Sequence, residues 1–181
     1  MFSLPSMLEL DQTPKFKARR HTGETVFLLP GQWYFGATGA TVKTLLGSCI
    51  AVTLWHPVKG IGGMCHFLLP TRPRASDGSL DGRFGDEAVT LMVNEIKRTR
   101  TRAQDYEVHL YGGADTMPED AKVKFAIGER NVEKAWELID QHGFQLQCVD
   151  VGGNEPRHVA IDLSSGQVSL RRGHPHARQG A

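Results

Sequence analysis

Nine short runs rich in β-branched and aromatic residues, each closed by Gly, Pro, Asn or Ser, fill most of this 181-residue chain and leave room for only two segments of helical period. The runs are 25–29, 33–35, 41–46, 49–55, 61–69, 106–111, 144–151, 158–163 and 167–171, and their composition and punctuation predict strands. Helical spacing predicts a helix over 86–98, with Ala88, Leu91, Met92 and Ile96 on one stripe, and a second over 131–142, with Val132, Ala135, Trp136 and Ile139. Asn131 suits the N-cap of the second helix and Gly143 its left-handed C-terminal stop. Ser164-Ser165-Gly166 supplies the turn of a last hairpin. Many strands with two helices point to an α+β layered domain, not a doubly wound parallel sheet.

A chain of this length closes a sizeable core without staples, and a single domain over 23–172 is expected. Residues 1–22 show no period and 173–181 carry no apolar anchor, so both are expected to be flexible tails. With 21 Lys and Arg against 20 Asp and Glu, no overall positive field argues for nucleic acid or an anionic membrane surface. The longest apolar runs fall far short of the ~20 residues that span a bilayer, so membrane insertion is not expected. No secretion signal opens the chain, and three sparse cysteines (Cys49, Cys65, Cys148) fit a reducing compartment, with cytoplasm as the expectation.

The chemistry centres on Cys49 and His66. The runs 49–55 and 61–69 flank His56-Pro57-Val58-Lys59-Gly60 and predict an antiparallel hairpin centred near Val58. If paired positions sum to about 115, Cys49 and His66 lie directly opposite, with Cβ atoms roughly 4.5–5.5 Å apart. A thiol of pKa near 8.5 is only a few per cent thiolate at pH 7, and an adjacent imidazole can take its proton or pair with it as imidazolium. Gly47 and Ser48 give a small, flexible approach whose amides could face an oxyanion, each such donor being worth ~3 kcal/mol in a transition state. On spacing alone a small buried cysteine with an unrelated histidine is the commoner arrangement. Zinc on Cys49, Cys65 and His66 is a third reading, although Cys65 and His66 point to opposite faces of one strand and no CxxC or HxxxH spacing is present.

Four blocks together resemble the CheD-type chemoreceptor glutamine deamidases of bacterial chemotaxis. These are Leu46-Gly47-Ser48-Cys49-Ile50-Ala51-Val52 with Gly63-Met64-Cys65-His66-Phe67-Leu68-Leu69-Pro70, then Tyr111-Gly112-Gly113-Ala114, Ile127-Gly128-Glu129-Arg130-Asn131, and Asp150-Val151-Gly152-Gly153 followed by Arg157. The resemblance implies a three-layered α/β/β sandwich of mostly antiparallel strands and a Cys, His, Thr catalytic group, here Cys49, His66 and Thr44, with Ser48 and Thr41 as alternative hydroxyls. It implies conversion of glutamines in the cytoplasmic domains of methyl-accepting chemotaxis receptors to glutamate through a cysteine thioester, without cofactor or metal. A CheC-like phosphatase is an implied partner in some bacteria, and a non-catalytic adaptor regulating such a phosphatase is the alternative function. A broader thiol hydrolase, protease or transglutaminase, would share the nucleophile.

The remaining motifs have plainer readings. Gly112-Gly113 and Gly152-Gly153 each end an apolar strand and are expected to be turns needing positive φ. Gly128-Glu129-Arg130-Asn131 lacks the spacing and lysine of a phosphate loop and is expected to cap the second helix. Arg130 and Arg157 are either receptor contacts or a solvated surface pair. The polar loop 70–82 directly follows the His66 strand and could frame the site.

Overall fold

The computed structural model describes residues 23–74, 77–121 and 126–173; the two expected tails, apart from Gly173, lie outside them. In chain order the strands are β1 (Glu24–Leu28), β2 (Trp33–Ala37), β3 (Ala40–Leu46), β4 (Ile50–His56), β5 (Ile61–Phe67), β6 (Glu107–Gly112), β7 (Gln145–Val151), β8 (Arg157–Asp162) and β9 (Val168–Arg172). Helix α1 (Gly85–Arg98) precedes β6 and α2 (Ile127–His142) precedes β7. A four-stranded sheet runs β1-β3-β8-β9 and a five-stranded sheet β2-β5-β4-β6-β7. All neighbours are antiparallel except β1 with β3 and β6 with β7.

Side-chain alternation explains the layering. In β3 the pattern Ala40, Val42, Thr44, Leu46 is buried while Lys43 and Leu45 are exposed, as in a sheet with one wet face. β4 and β5 are covered on both sides. Ile50, Val52, Leu54, Cys65 and Phe67 pack with Ala88, Met92, Ala135 and Ile139 of the helices. Ala51 and Met64 pack with Val42, Leu46, Val159 and Ile161 of the other sheet. The result is helices on the five-stranded sheet, itself on the four-stranded sheet: the expected α/β/β sandwich with mostly antiparallel strands.

Three local expectations are corrected. The β4–β5 turn is a four-residue loop closed by His56 and Ile61, so paired positions sum to 117, not 115. His56 Nδ1 accepts from the Val58 and Lys59 amides and Gly60 N–H donates to His56 O, which fixes this longer turn. Second, α2 starts at Ile127, and Asn131 is inside it, fully buried, not its N-cap. Third, Trp136 is 45% exposed and Leu138 takes its place on the buried stripe. Gly143 does stop α2, at φ 69°, with its amide donating to Asp140 O.

Candidate active site

Leaving β3 after Leu46, the chain crosses from the outer sheet to the central one through Gly47, Ser48 and Cys49. Three successive carbonyls of this crossing are held from outside. Ala114 N–H donates to Gly47 O at 3.0 Å, Asn131 Nδ2 to Ser48 O at 3.0 Å, and Gly113 N–H to Cys49 O at 2.8 Å. Gly112 and Gly113 take φ of 113° and 68°, so the turn reading holds for them. A Cβ on Gly112 would overlap Cys49 O, so this glycine also lets the neighbouring strand end lie against the cysteine backbone.

His66 pairs with Ala51, and Cys49 is two residues before Ala51, so Cys49 and His66 share a face on a diagonal instead of standing directly opposite. A register shift of two keeps the face, so the shared face, though not the direct opposition, survives the corrected turn. The backbone of His66 is fixed on its other edge: its N–H donates to Gln32 O and its carbonyl accepts from Gly31 N–H.

Across the gap between the sheets, Thr44 Oγ1 lies 2.7 Å from His66 Nδ1. Thr44 also donates its one hydroxyl proton to Leu28 O at 2.8 Å. A carbonyl can only accept, so Thr44 Oγ1 must accept from His66, which puts the imidazole proton on Nδ1 and the lone pair on Nε2. Nε2 is buried and has no hydrogen-bond partner among the described residues. The alternative hydroxyls do not compete for this role. Thr41 is three residues from Thr44 on β3 and therefore faces the other way, and no hydrogen bond links Ser48 Oγ to His66 among the described residues.

Burial sets the electrostatics. It lowers the His66 pKa to about 4 and raises that of the Cys49 thiol. Both shifts favour a neutral thiol beside a neutral imidazole at rest, with Cys49 half-buried and His66 only 1% exposed. Cys65 sits on the helix-facing side of β5, its thiol pushed up to about 12 by burial, and Cys148 is exposed on β7. Among the described residues no group of three or more His, Cys, Asp or Glu side chains is placed to hold a metal.

One functional expectation changes. Arg157 is no solvated surface residue: it is 4% exposed and donates to Asp150, Gly112 O and Gly152 O, tying the outer sheet to the ends of β6 and β7. Burial pushes the Asp150 carboxyl up, but hydrogen bonds from Arg172 and Arg157 outweigh it and hold the pKa below the ordinary range. Arg130 is exposed on α2. The residue that sequence reasoning missed is Asn131, whose Nδ2 also donates to Leu68 O at 2.7 Å. Its polar identity on an otherwise apolar helical stripe was the available signal.

A cavity of about 470 Å³ opens beside Ser48, between Ala114, Met117, Ile127, Val132 and Val151. Its mainly apolar wall adjoins the cysteine crossing. No described helix is long and apolar enough to cross a membrane.

The sequence profile of the family described as CheD chemotactic sensory transduction matches residues 68–172. The chain is 42% identical over 151 residues to the "Probable chemoreceptor glutamine deamidase CheD 1" of Chromobacterium violaceum, covering 83% of this chain and 78% of that one. It is 41% identical to the "Probable chemoreceptor glutamine deamidase CheD 3" of Dechloromonas aromatica, covering 80% and 85%. To the "Probable chemoreceptor glutamine deamidase CheD" of Pseudomonas syringae pv. tomato it is 39% identical, covering 81% and 88%. With the profile matching more than half its length and these relatives matching about four fifths, the chain belongs to the CheD family.

Proposed function

We propose that this protein is a cytoplasmic, cysteine-dependent protein-glutamine deamidase whose substrates are the cytoplasmic domains of chemotaxis receptors. The observation that carries the chemistry is the Leu28 O, Thr44, His66 relay, which leaves a buried, unprotonated Nε2 on the face shared with Cys49. The substrate class rests on the names of the relatives.

With both groups neutral at rest, attack is general-base assisted. As the Cys49 sulfur bonds to the glutamine side-chain carbon, its proton passes to His66 Nε2 and the carbonyl electrons move to oxygen. The oxyanion is met by backbone N–H groups of the Ser48–Cys49 crossing. His66 Nε2–H then protonates the departing nitrogen, the C–N bond breaks, and ammonia leaves a thioester. Water attacks it while giving a proton back to Nε2; the C–S bond breaks, the thiolate regains its proton, and glutamate remains. Thr44 keeps Nδ1–H in place throughout, the part a carboxylate plays in other triads.

Intact-mass spectrometry of a receptor cytoplasmic fragment tests this. Wild-type protein is expected to add about one dalton per converted side chain, –NH2 giving –OH, and Cys49→Ala to add nothing. No mass change with wild type would move the assignment to a non-catalytic adaptor, and equal change with both proteins would remove Cys49 from the mechanism.

A further inference from the structure

Asn131 stands apart from the rest of α2. It is fully buried, asparagine is a weak former of helix interiors, and its Nδ2 reaches two main-chain oxygens, Ser48 O at 3.0 Å and Leu68 O at 2.7 Å. Since carbonyls only accept, the NH2 group must face them, which leaves Oδ1 buried without a partner among the described residues. An unpaired buried acceptor works against the fold, so stability alone is a poor account of this side chain.

Both oxygens flank the chemistry. Ser48 precedes Cys49 and Leu68 follows His66 by two residues. The β4–β5 ladder stops at Ile50 and Phe67, so beyond that point the Asn131 amide bridges the two strand ends. All peptides here are trans, and in a trans peptide the C=O and the following N–H point to opposite sides. Drawing Ser48 O towards α2 therefore turns the Cys49 N–H away from α2. That N–H has no hydrogen-bond acceptor among the described residues, and neither has the Ser48 N–H, whose peptide is fixed in the same way by Ala114 on Gly47 O.

Building on the deamidase reading, we infer that Asn131 is a positioning residue for the reaction: it sets the Ser48–Cys49 peptide so that the Cys49 N–H meets the oxyanion of the tetrahedral intermediate. Buried and two bonds removed from the substrate, it acts through that peptide and leaves substrate binding alone. Losing an oxyanion donor lowers kcat by about 10²- to 10³-fold, whereas thiol alkylation develops no oxyanion and does not use the donor.

The experiment compares wild type, Cys49→Ala, Asn131→Ala and the near-isosteric Asn131→Asp on a receptor cytoplasmic fragment. It follows deamidation by intact mass and, separately, the rate of Cys49 alkylation by iodoacetamide against pH. The Asn131 variants are expected to lose about 10²-fold in kcat, with KM and the alkylation profile within about 3-fold of wild type. Wild-type kcat in either folded variant overturns the inference. So does a fall in alkylation that matches the fall in kcat, which would make Asn131 a support for the thiol, and so does failure of both variants to fold, which would make it a structural bracket. A wild type without activity overturns the deamidase reading and this role with it, an outcome distinct from a defect confined to the Asn131 variants.

Discussion

Replacing Thr44 with valine keeps its shape and removes one oxygen, and with it the bonds of 2.7 Å to His66 Nδ1 and 2.8 Å to Leu28 O. Each bond is worth about 1 kcal/mol net, and both former partners are left in a buried gap, so a loss of roughly 2–3 kcal/mol in unfolding free energy is expected. The effect on turnover follows from the tautomer. Without an acceptor at Nδ1, the proton is free to sit on Nε2, where it blocks the base. Removing about 1.5–3 kcal/mol of preference for the productive form, the range for hydrogen bonds that come to carry charge, corresponds to a fall of about 10- to 10²-fold in kcat. KM should stay near wild type because Thr44 is 1% exposed and out of reach of substrate. Thr44→Ser retains the oxygen and should recover most of the activity. Timed intact-mass assays with urea melts read both quantities. Unchanged kcat in a folded Thr44→Val protein, or a rise in KM alone, would refute the relay.

Burial of His66 also makes stability depend on acid. Its folded pKa of about 4 lies below the ordinary 6.5, so the unfolded chain binds the extra proton in between. Stability is complete above the unfolded value and falls as pH drops, by about 2 kcal/mol at pH 5 and about 3 kcal/mol at pH 4 from this group. Chemical melts of wild type against His66→Gln should diverge by that slope; parallel pH curves would contradict it. In native buffer iodoacetamide should modify Cys49 and Cys148 and spare Cys65, since only Cys65 is closed off by the helices; three adducts on intact protein would count against the core packing. Arg157→Met should destabilise by about 3 kcal/mol in a urea melt, because Asp150 loses its buried partner and two carbonyls lose a donor; an unaltered midpoint would mean the sheets are held without this tie.

The strands were legible as runs rich in β-branched and aromatic residues between turn residues, and α1 because Ala88, Met92 and Ile96 repeat at helical spacing. The start of α2 was not. Ile127 and Gly128 carry no capping side chain, and the N-cap Ala126 makes no side-chain bond, so asparagine four residues later drew the assignment to itself. The site was half legible. A shared face for Cys49 and His66 follows from strand parity, which a two-residue error in register leaves intact. Thr44, by contrast, reaches His66 from the other sheet through the stacking of two layers, and no local spacing encodes that distance. Arg157 was misread for a similar reason: its acceptors lie at the ends of two other strands, Gly112 at the end of β6 and Asp150 with Gly152 at the end of β7.

A half-open cysteine held as a neutral thiol has a consequence outside its own reaction. Thiolates attack peroxides and other electrophiles, and a thiol whose ionisation is opposed by burial reacts with them more slowly than an exposed one. On the proposed mechanism the side chain is slow towards small oxidants and is fully activated only when an amide carbon sits against it and Nε2 takes the proton in the same step. Reactivity on that mechanism is tied to the arrival of the correct partner, which spares the nucleophile between encounters.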